Sequence, residues 1–269
     1  MLQPTTTATI ATDFRSRLRN DEIVIGCNVR HSRTSEIGAI LRHCGYHWMM
    51  TDFEHSPMST ERAYDLQLGA IRAGVLPIAR PQRNDPAEIA SHLSNGALGV
   101  MVPHVNNLEE AQRAARSSRY PPQGVLSVPG SIPQLTYEPG HLARLARRFN
   151  DEVFVVAMIE SEEAVGNVDA IAGVSGIDCL YIGASDLSFD LGIPSEYGHP
   201  RVIDAVRSTC DAARRHGKVA GIGGPRDPTD WRRYTQLGMR FLLTENDLSM
   251  LISKMTERAS FYTGLPRTS

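Results

Sequence analysis

Val153-Phe-Val-Val-Ala-Met-Ile-Glu160, answered by Asp178-Cys-Leu-Tyr-Ile-Gly183 and Ala184-Ser-Asp-Leu-Ser188, is the stretch that decides the fold. Both runs are apolar, and the first stops abruptly on a carboxylate. A parallel strand buried on both faces reads as a continuous apolar run. A polar residue closing such a strand lies at its C-terminal edge, where barrel enzymes carry their chemistry. Glu160 and Asp186 are therefore candidate ligands for a hard divalent cation such as Mg²⁺, which takes one or two carboxylates and completes its shell with water and substrate oxygens. Taken singly, each acid could equally cap the helix or turn that follows it.

Working outward, four more strand-like runs precede this pair: Ile23–Cys27, His47–Phe53, Leu76–Arg80 and Gly99–Pro103. Two follow it, Lys218–Ile222 and Gly238–Thr244. Segments with helical spacing separate them, among them Ile37, Ile40, Leu41 and Cys44; Tyr64, Leu68 and Ile71; and Val202, Val206, Cys210 and Ala213. Eight strands alternating with helices over about 250 residues predict an α/β chain folded as a single (β/α)8 TIM barrel. A doubly wound open sheet fits less well, because no Gly-rich phosphate loop follows the first strand. Residues 1–269 read as one barrel domain, with a polar and flexible start over 1–12. The alternation breaks at 119–139, where five prolines and two glycines mark a long loop, either a lid or an intersubunit arm.

Composition narrows the classes. With 28 basic against 30 acidic residues and no basic run, a nucleic-acid surface is not expected. No apolar run reaches the length of a membrane span. Cys27, Cys44, Cys179 and Cys210 show no C-x-x-C spacing, and three lie in apolar patterns, which suits reduced thiols in a soluble, cytoplasmic protein.

In such a barrel His55, Arg80, Glu160 and Asp186 meet on the C-terminal rim, from the ends of strands two, three, five and six. A cation, a guanidinium and an imidazole together suit a 2-oxo acid. The metal would polarise its carbonyl and carboxylate oxygens, and Arg80 would donate to the oxo oxygen as enolate charge develops. His55 would move the proton as a carbon–carbon bond is made or broken, with Asp52 orienting its imidazole. His104, after the fourth strand, is a second candidate for that transfer. Asp247 is expected to cap the final helix, with Glu245 just before it.

Asp52-Phe-Glu-His-Ser-Pro57, Arg80-Pro-Gln-Arg-Asn-Asp-Pro86, Tyr120-Pro-Pro-Gln-Gly124, Ile159-Glu160 and Gly183-Ala-Ser-Asp-Leu-Ser188 occur here in order. Together they make the chain resemble the HpcH/HpaI family of metal-dependent class II pyruvate aldolases along nearly its whole length. The resemblance implies Mg²⁺, Mn²⁺ or Co²⁺ held by Glu160 and Asp186, His55 as acid/base group and Arg80 as enolate stabiliser. It also implies a substrate carboxylate touched by the backbone of Ser185 and Asp186. It further implies a homo-oligomer, a hexamer built as a trimer of dimers, with the C-terminal helix exchanged between subunits. The implied reaction is reversible cleavage of a 4-hydroxy-2-oxo acid to pyruvate and an aldehyde through a metal-bound enolate, with small-molecule 2-oxo acid and aldehyde as partners.

The chain departs from the family at the site itself. Met158 stands where the family has a Gln that bonds the substrate, and a thioether accepts only weakly. Asn28 replaces a Trp, Leu126 an Arg, and Ser94 the Asp that partners the catalytic histidine. Asn28, Arg30 and His31 form a new polar cluster that either helps read the far end of the substrate or, for Arg30 and His31, is simply a solvated loop. Alternatives on the same framework are an oxaloacetate-type decarboxylase, a CoA-thioester lyase using Arg30, Arg33 and Arg83, and a barrel that binds a metal and an oxoacid without turnover.

Overall fold

The computed structural model describes residues 7–135, 137 and 140–265. Residues 1–6 of the expected flexible start and positions 136, 138 and 139 of the Pro-rich loop lie outside them. Eight parallel strands close into a barrel in sequence order: β1 Val24–Val29, β2 Trp48–Asp52, β3 Leu76–Arg80, β4 Gly99–Val102, β5 Phe154–Ile159, β6 Cys179–Gly183, β7 Val219–Gly223 and β8 Phe241–Asn246. β8 returns to β1, so the sheet has no edge. The expected TIM barrel is the observed one.

Helices fill the crossovers: α2 Ile37–His43, α3 Thr60–Ala73, α4 Pro86–Ser94, α5 Leu108–Ser117, α6 Leu142–Glu152, α7 Glu162–Gly166, α8 Val168–Ala172, α9 Ala184–Asp190, α10 Pro200–Arg215, α11 Pro228–Leu237 and α12 Asp247–Thr263. Their starts follow local chemistry. Asp85 accepts from the amides of Ala87 and Glu88, with Pro86 at the first helical position. Ser59, Asn107 and Ser161 cap α3, α5 and α7 in the same way.

Two parts depart from the expectation. The start is not frayed throughout, because Thr7–Arg19 forms a further helix, α1. Its Phe14 meets Phe154 edge-on at 5.2 Å and Phe241 at 6.2 Å. Phe154 and Phe241 open β5 and β8, so α1 plugs the N-terminal floor of the barrel. Only Ile10, Ala11 and Phe14 among its described side chains are well buried, too sparse a stripe to stand out in a polar segment. The face assigned to α2 is also narrower than expected: Ile37 and Leu41 are buried, whereas Ile40 and Cys44 are exposed.

The interior is a packed core. Trp48 stacks on Phe241 with ring centroids 4.1 Å apart. Gly26 makes room for that indole, since a Cβ there would run into it. Met50, Ile78, Met101, Val156 and Tyr181 continue the fill upward. A second, larger cluster lies between the outer strand faces and the helices. Among the described residues no helix is long and apolar enough to cross a membrane.

Candidate active site

Alternate side chains of a strand point to opposite faces. Trp48, Met50 and Asp52 of β2 therefore share the inner face, as do Leu76, Ile78 and Arg80 of β3 and Val24, Gly26 and Asn28 of β1. The lower members of these rows belong to the apolar interior. The top members are polar, and they form the site.

β2 and β3 run in register, with Asp52 opposite Arg80. Arg80 donates from Nε to Asp52 Oδ1 at 3.0 Å and from Nη2 to Oδ2 at 2.7 Å. Both residues are buried. Burial alone would raise the Asp52 pKa, but Arg80, the Asn28 amide and the His55 backbone N–H outweigh it and hold the carboxyl below its ordinary value. Asn28 Nδ2 donates to Asp52 Oδ2 at 3.1 Å. The backbone amides of Glu54 and His55 donate to Oδ1, each at 3.1 Å. Asp52 thus positions His55 through its backbone, not through the imidazole as the sequence suggested.

Glu54 is the residue that sequence reasoning left without a role. Its carboxylate lies 3.2 Å from Arg80 Nη1, 3.3 Å from His104 Nε2 and 3.6 Å from His55 Nε2. It links the guanidinium to both histidines. Lying between Asp52 and His55, it carried no periodicity to distinguish it from a surface acid.

Glu160 follows β5 and is 4% exposed. Its Oε2 accepts from the backbone N–H of His104 at 3.0 Å. Burial pushes its pKa up to about 7, with Asp186 and Glu54 adding repulsion against the opposing pull of His104. Gly183, at the top of β6, is required by this carboxylate, because a Cβ there would overlap it. Asp186 sits in the first turn of α9, beside Ser185, whose hydroxyl lies 3.2 Å from that of Tyr197. Among the described residues no group of three or more His, Cys, Asp or Glu is arranged around a metal position. Two acids with the repulsion seen at Glu160 suit a cation that keeps open positions for water and substrate.

A cavity of about 330 Å³ opens here, lined by Asn28, His55, Arg80, Met158, Glu160, Ser185 and Asp186, with Tyr197, Arg226 and Glu245 at its wall. Of the residues named from sequence, these first seven line it; Asp52 supports Arg80 behind the wall, and Arg30, His31 and His104 are not part of the lining. A family model of HpcH/HpaI aldolase/citrate lyase matches residues 31–239.

The chain belongs to this family.

Over 250 residues it is 32% identical to the 5-keto-4-deoxy-D-glucarate aldolase of Shigella boydii, covering 93% of this chain and 95% of that one. It is 34% identical to the pyruvate aldolase of Rhizobium etli over 88% of this chain and 92% of the other. The solved HpcH/HpaI aldolase from Desulfitobacterium hafniense superposes with a TM-score of 0.87 at 29% identity, covering 95% of this chain and 98% of that one.

Several departures from the family pattern can now be located. Met158 lies in the cavity wall, and Leu126 is buried. Ser94 ends α4, and no hydrogen bond joins it to His55 among the described residues. The basic cluster offered for CoA is engaged elsewhere. Arg30 bonds the His55 carbonyl, Arg33 Nη1 bonds the carbonyls of Arg30 and Ser32, and Arg83 pairs with Glu88. Asp247 does not cap α12; Asn246 does, through the amide of Ser249. Asp247 instead accepts from the backbone amides of Arg30, His31 and Ser32, which hold its pKa down against burial. It ties the β1–α2 loop to the end of β8.

Proposed function

We propose that the protein is a metal-dependent carbon–carbon lyase that reversibly cleaves a 4-hydroxy-2-oxo acid to pyruvate, or a related 2-oxo acid, and an aldehyde. The observation that carries this reading is the joint opening of Arg80, locked by Asp52, and the crowded pair Glu160 and Asp186 into one cavity. Relatives named as pyruvate and 5-keto-4-deoxy-D-glucarate aldolases support it.

Glu160 and Asp186 would hold the divalent cation, Mg²⁺, Mn²⁺ or Co²⁺, which would supply Lewis acidity to the 2-oxo acid. Arg80 has two N–H groups directed to Asp52 and one Nη near Glu54, which leaves donors for the substrate's 2-oxo oxygen. In cleavage, His55 takes the proton of the C4 hydroxyl. The C3–C4 bond breaks, the aldehyde leaves, and the bonding pair moves toward the 2-oxo oxygen, where Arg80 meets the developing charge. Protonation at C3 yields the methyl group of pyruvate. Ser185 and Asp186 support the substrate carboxylate, and Met158 and Asn28 line its surroundings.

We further infer a homo-oligomer, a hexamer by family resemblance. The exposed Leu251, Ile252, Met255 and Phe261 of α12 give an exchanged C-terminal helix an apolar face to bury. Four free cysteines support a cytoplasmic setting.

The test is pyruvate release from a panel of 4-hydroxy-2-oxo acids and oxaloacetate, before and after EDTA and after re-addition of Mn²⁺ or Mg²⁺. Metal-dependent release that falls in Glu160→Ala and Asp186→Ala is the expected result. Metal binding without turnover of any member would favour the non-catalytic reading.

A further inference from the structure

We propose that Asn28 makes the enzyme selective for a hydroxylated substrate, by accepting a hydrogen bond from a substrate hydroxyl through its side-chain oxygen. This rests on the aldolase reading and names the class of compound that the site prefers.

The orientation of the Asn28 amide is determined by its neighbour. Asp52 is held ionised, so its oxygens only accept, and the group 3.1 Å from Oδ2 must be the Asn28 NH₂. The carbonyl end of the same amide therefore faces away from Asp52. Asn28 is 8% exposed, its Oδ1 is buried, and no described residue donates to it. It is the one buried side-chain acceptor without a partner among the described residues lining the cavity.

Asn246 and Thr244 on this wall have partners, whereas the buried Nε of Arg30 has none among the described residues. β8 lies beside β1, with Asn246 opposite Asn28. Asn246 Oδ1 accepts from the Ser249 amide, and Thr244 Oγ1 donates to the carbonyl of Gly26. Arg30, on the loop above, donates from Nη2 to the His55 carbonyl, and its Nε lies 3.6 Å from Asp52 Oδ2, too far to bond it, and does not bond Asn28. What the wall lacks is a donor at Asn28. A neutral amide oxygen calls for a hydroxyl and gives no purchase to a carboxylate, which would face acceptor against acceptor. A buried group left unpaired by the wrong ligand is the arrangement that discriminates most strongly against an analogue lacking the hydroxyl.

The hydroxyl can belong to either reactant, and the experiment separates them. The metal-loaded enzyme is assayed for aldol addition with three pairs: pyruvate with acetaldehyde, pyruvate with glycolaldehyde, and hydroxypyruvate with acetaldehyde. Wild type, Asn28→Leu and Asn28→Ser are compared, each checked for folding by thermal melting. Leu removes the acceptor at similar volume; Ser is a smaller change should Leu fail to fold. Comparing the hydroxyl/deoxy ratio of kcat/KM between proteins cancels the intrinsic reactivity of each aldehyde.

In wild type we expect that ratio to exceed its value in the variants by about tenfold or more on one arm, the size of a single buried hydrogen bond. A change on the glycolaldehyde arm assigns the hydroxyl to the acceptor, and a change on the hydroxypyruvate arm to the donor. Ratios that agree within about twofold on both arms, in folded variants, overturn the proposal while the aldolase reading stands. Exchange of pyruvate methyl hydrogens in D₂O by wild type checks the reading beneath it. If wild type shows neither exchange nor addition, both fall together.

Discussion

Asp52 grips Arg80 through two parallel hydrogen bonds, 3.0 Å from Nε and 2.7 Å from Nη2, on adjacent strands at matched register. The pair fixes the guanidinium plane before any substrate arrives. Preorganised donors are worth most where water is excluded and charge develops during reaction.

Replacing Arg80 with Lys retains the charge but loses the planar fork. We predict a fall in kcat/KM of about 100-fold or more for any 4-hydroxy-2-oxo acid substrate, the size typical of losing one such donor. Asp52→Ala strips the buried guanidinium of both these bonds and leaves it only Glu54, and should destabilise the fold by about 3 kcal/mol in urea titrations.

Gly183→Ala tests how tightly Glu160 is seated. The added methyl would overlap the carboxylate, so the side chain must move, whereas the φ of −81° suits alanine. We expect Mn²⁺ affinity, read by isothermal titration, to drop at least tenfold with far-UV circular dichroism unchanged. An unaltered affinity would mean that Glu160 does not hold the metal in its present rotamer.

The crowding of acids implies a trade between stability and function. Glu160 is buried with its pKa raised to about 7, so its ionised form opposes folding of the metal-free protein above that pH. Its destabilisation is absent below the ordinary glutamate value and grows as pH rises through about 7. Glu160→Gln keeps an acceptor for the His104 amide and should stabilise the metal-free protein at pH 8 by about 1–3 kcal/mol, while abolishing metal binding. A lowered melting temperature would contradict this.

His92 supplies a pH dependence of the opposite sign. It packs against Phe53 at 4.0 Å, and burial depresses its pKa to about 4. Between about pH 4 and 6.5 the unfolded chain binds a proton there that the folded chain does not, so stability falls as pH falls through this window. The shift corresponds to about 3 kcal/mol. His47, also lowered by burial, acts in the same direction. Asp52 and Asp247, held below the usual aspartate value, lose their contribution only at lower pH. We expect His92→Gln to flatten the stability profile between pH 6.5 and 4.5 in denaturant titrations.

Much of this was legible in the sequence for a physical reason. A buried parallel strand has to be apolar throughout, so Val153–Ile159 and Cys179–Ile182 announced themselves, and Glu160 and Arg80 stood out as the polar residues that close such runs. Contacts across the rim were less legible. Nothing in the spacing of Asp52, Glu54 and His55 indicates that Asp52 would serve Arg80 and the backbone, leaving Glu54 to meet the histidines. α1 escaped notice because its contribution rests on a few residues, Phe14 chief among them, packing against a floor that exists only once β5 and β8 are adjacent. Asn246 and Asp247 exchanged roles by one position, which is as fine as capping patterns resolve.

Exchange of the methyl hydrogens of pyruvate for deuterium, followed by NMR, tests the central claim most directly, because it reports carbon acidification at the rim without requiring the aldehyde to be known. We predict exchange in the presence of Mn²⁺ or Mg²⁺, its loss on chelation, and its loss in Glu160→Gln at full metal concentration. Exchange that persists unchanged after chelation, or is absent from folded protein with every divalent cation, would contradict a metal-assisted aldolase site at Glu160, Asp186 and Arg80.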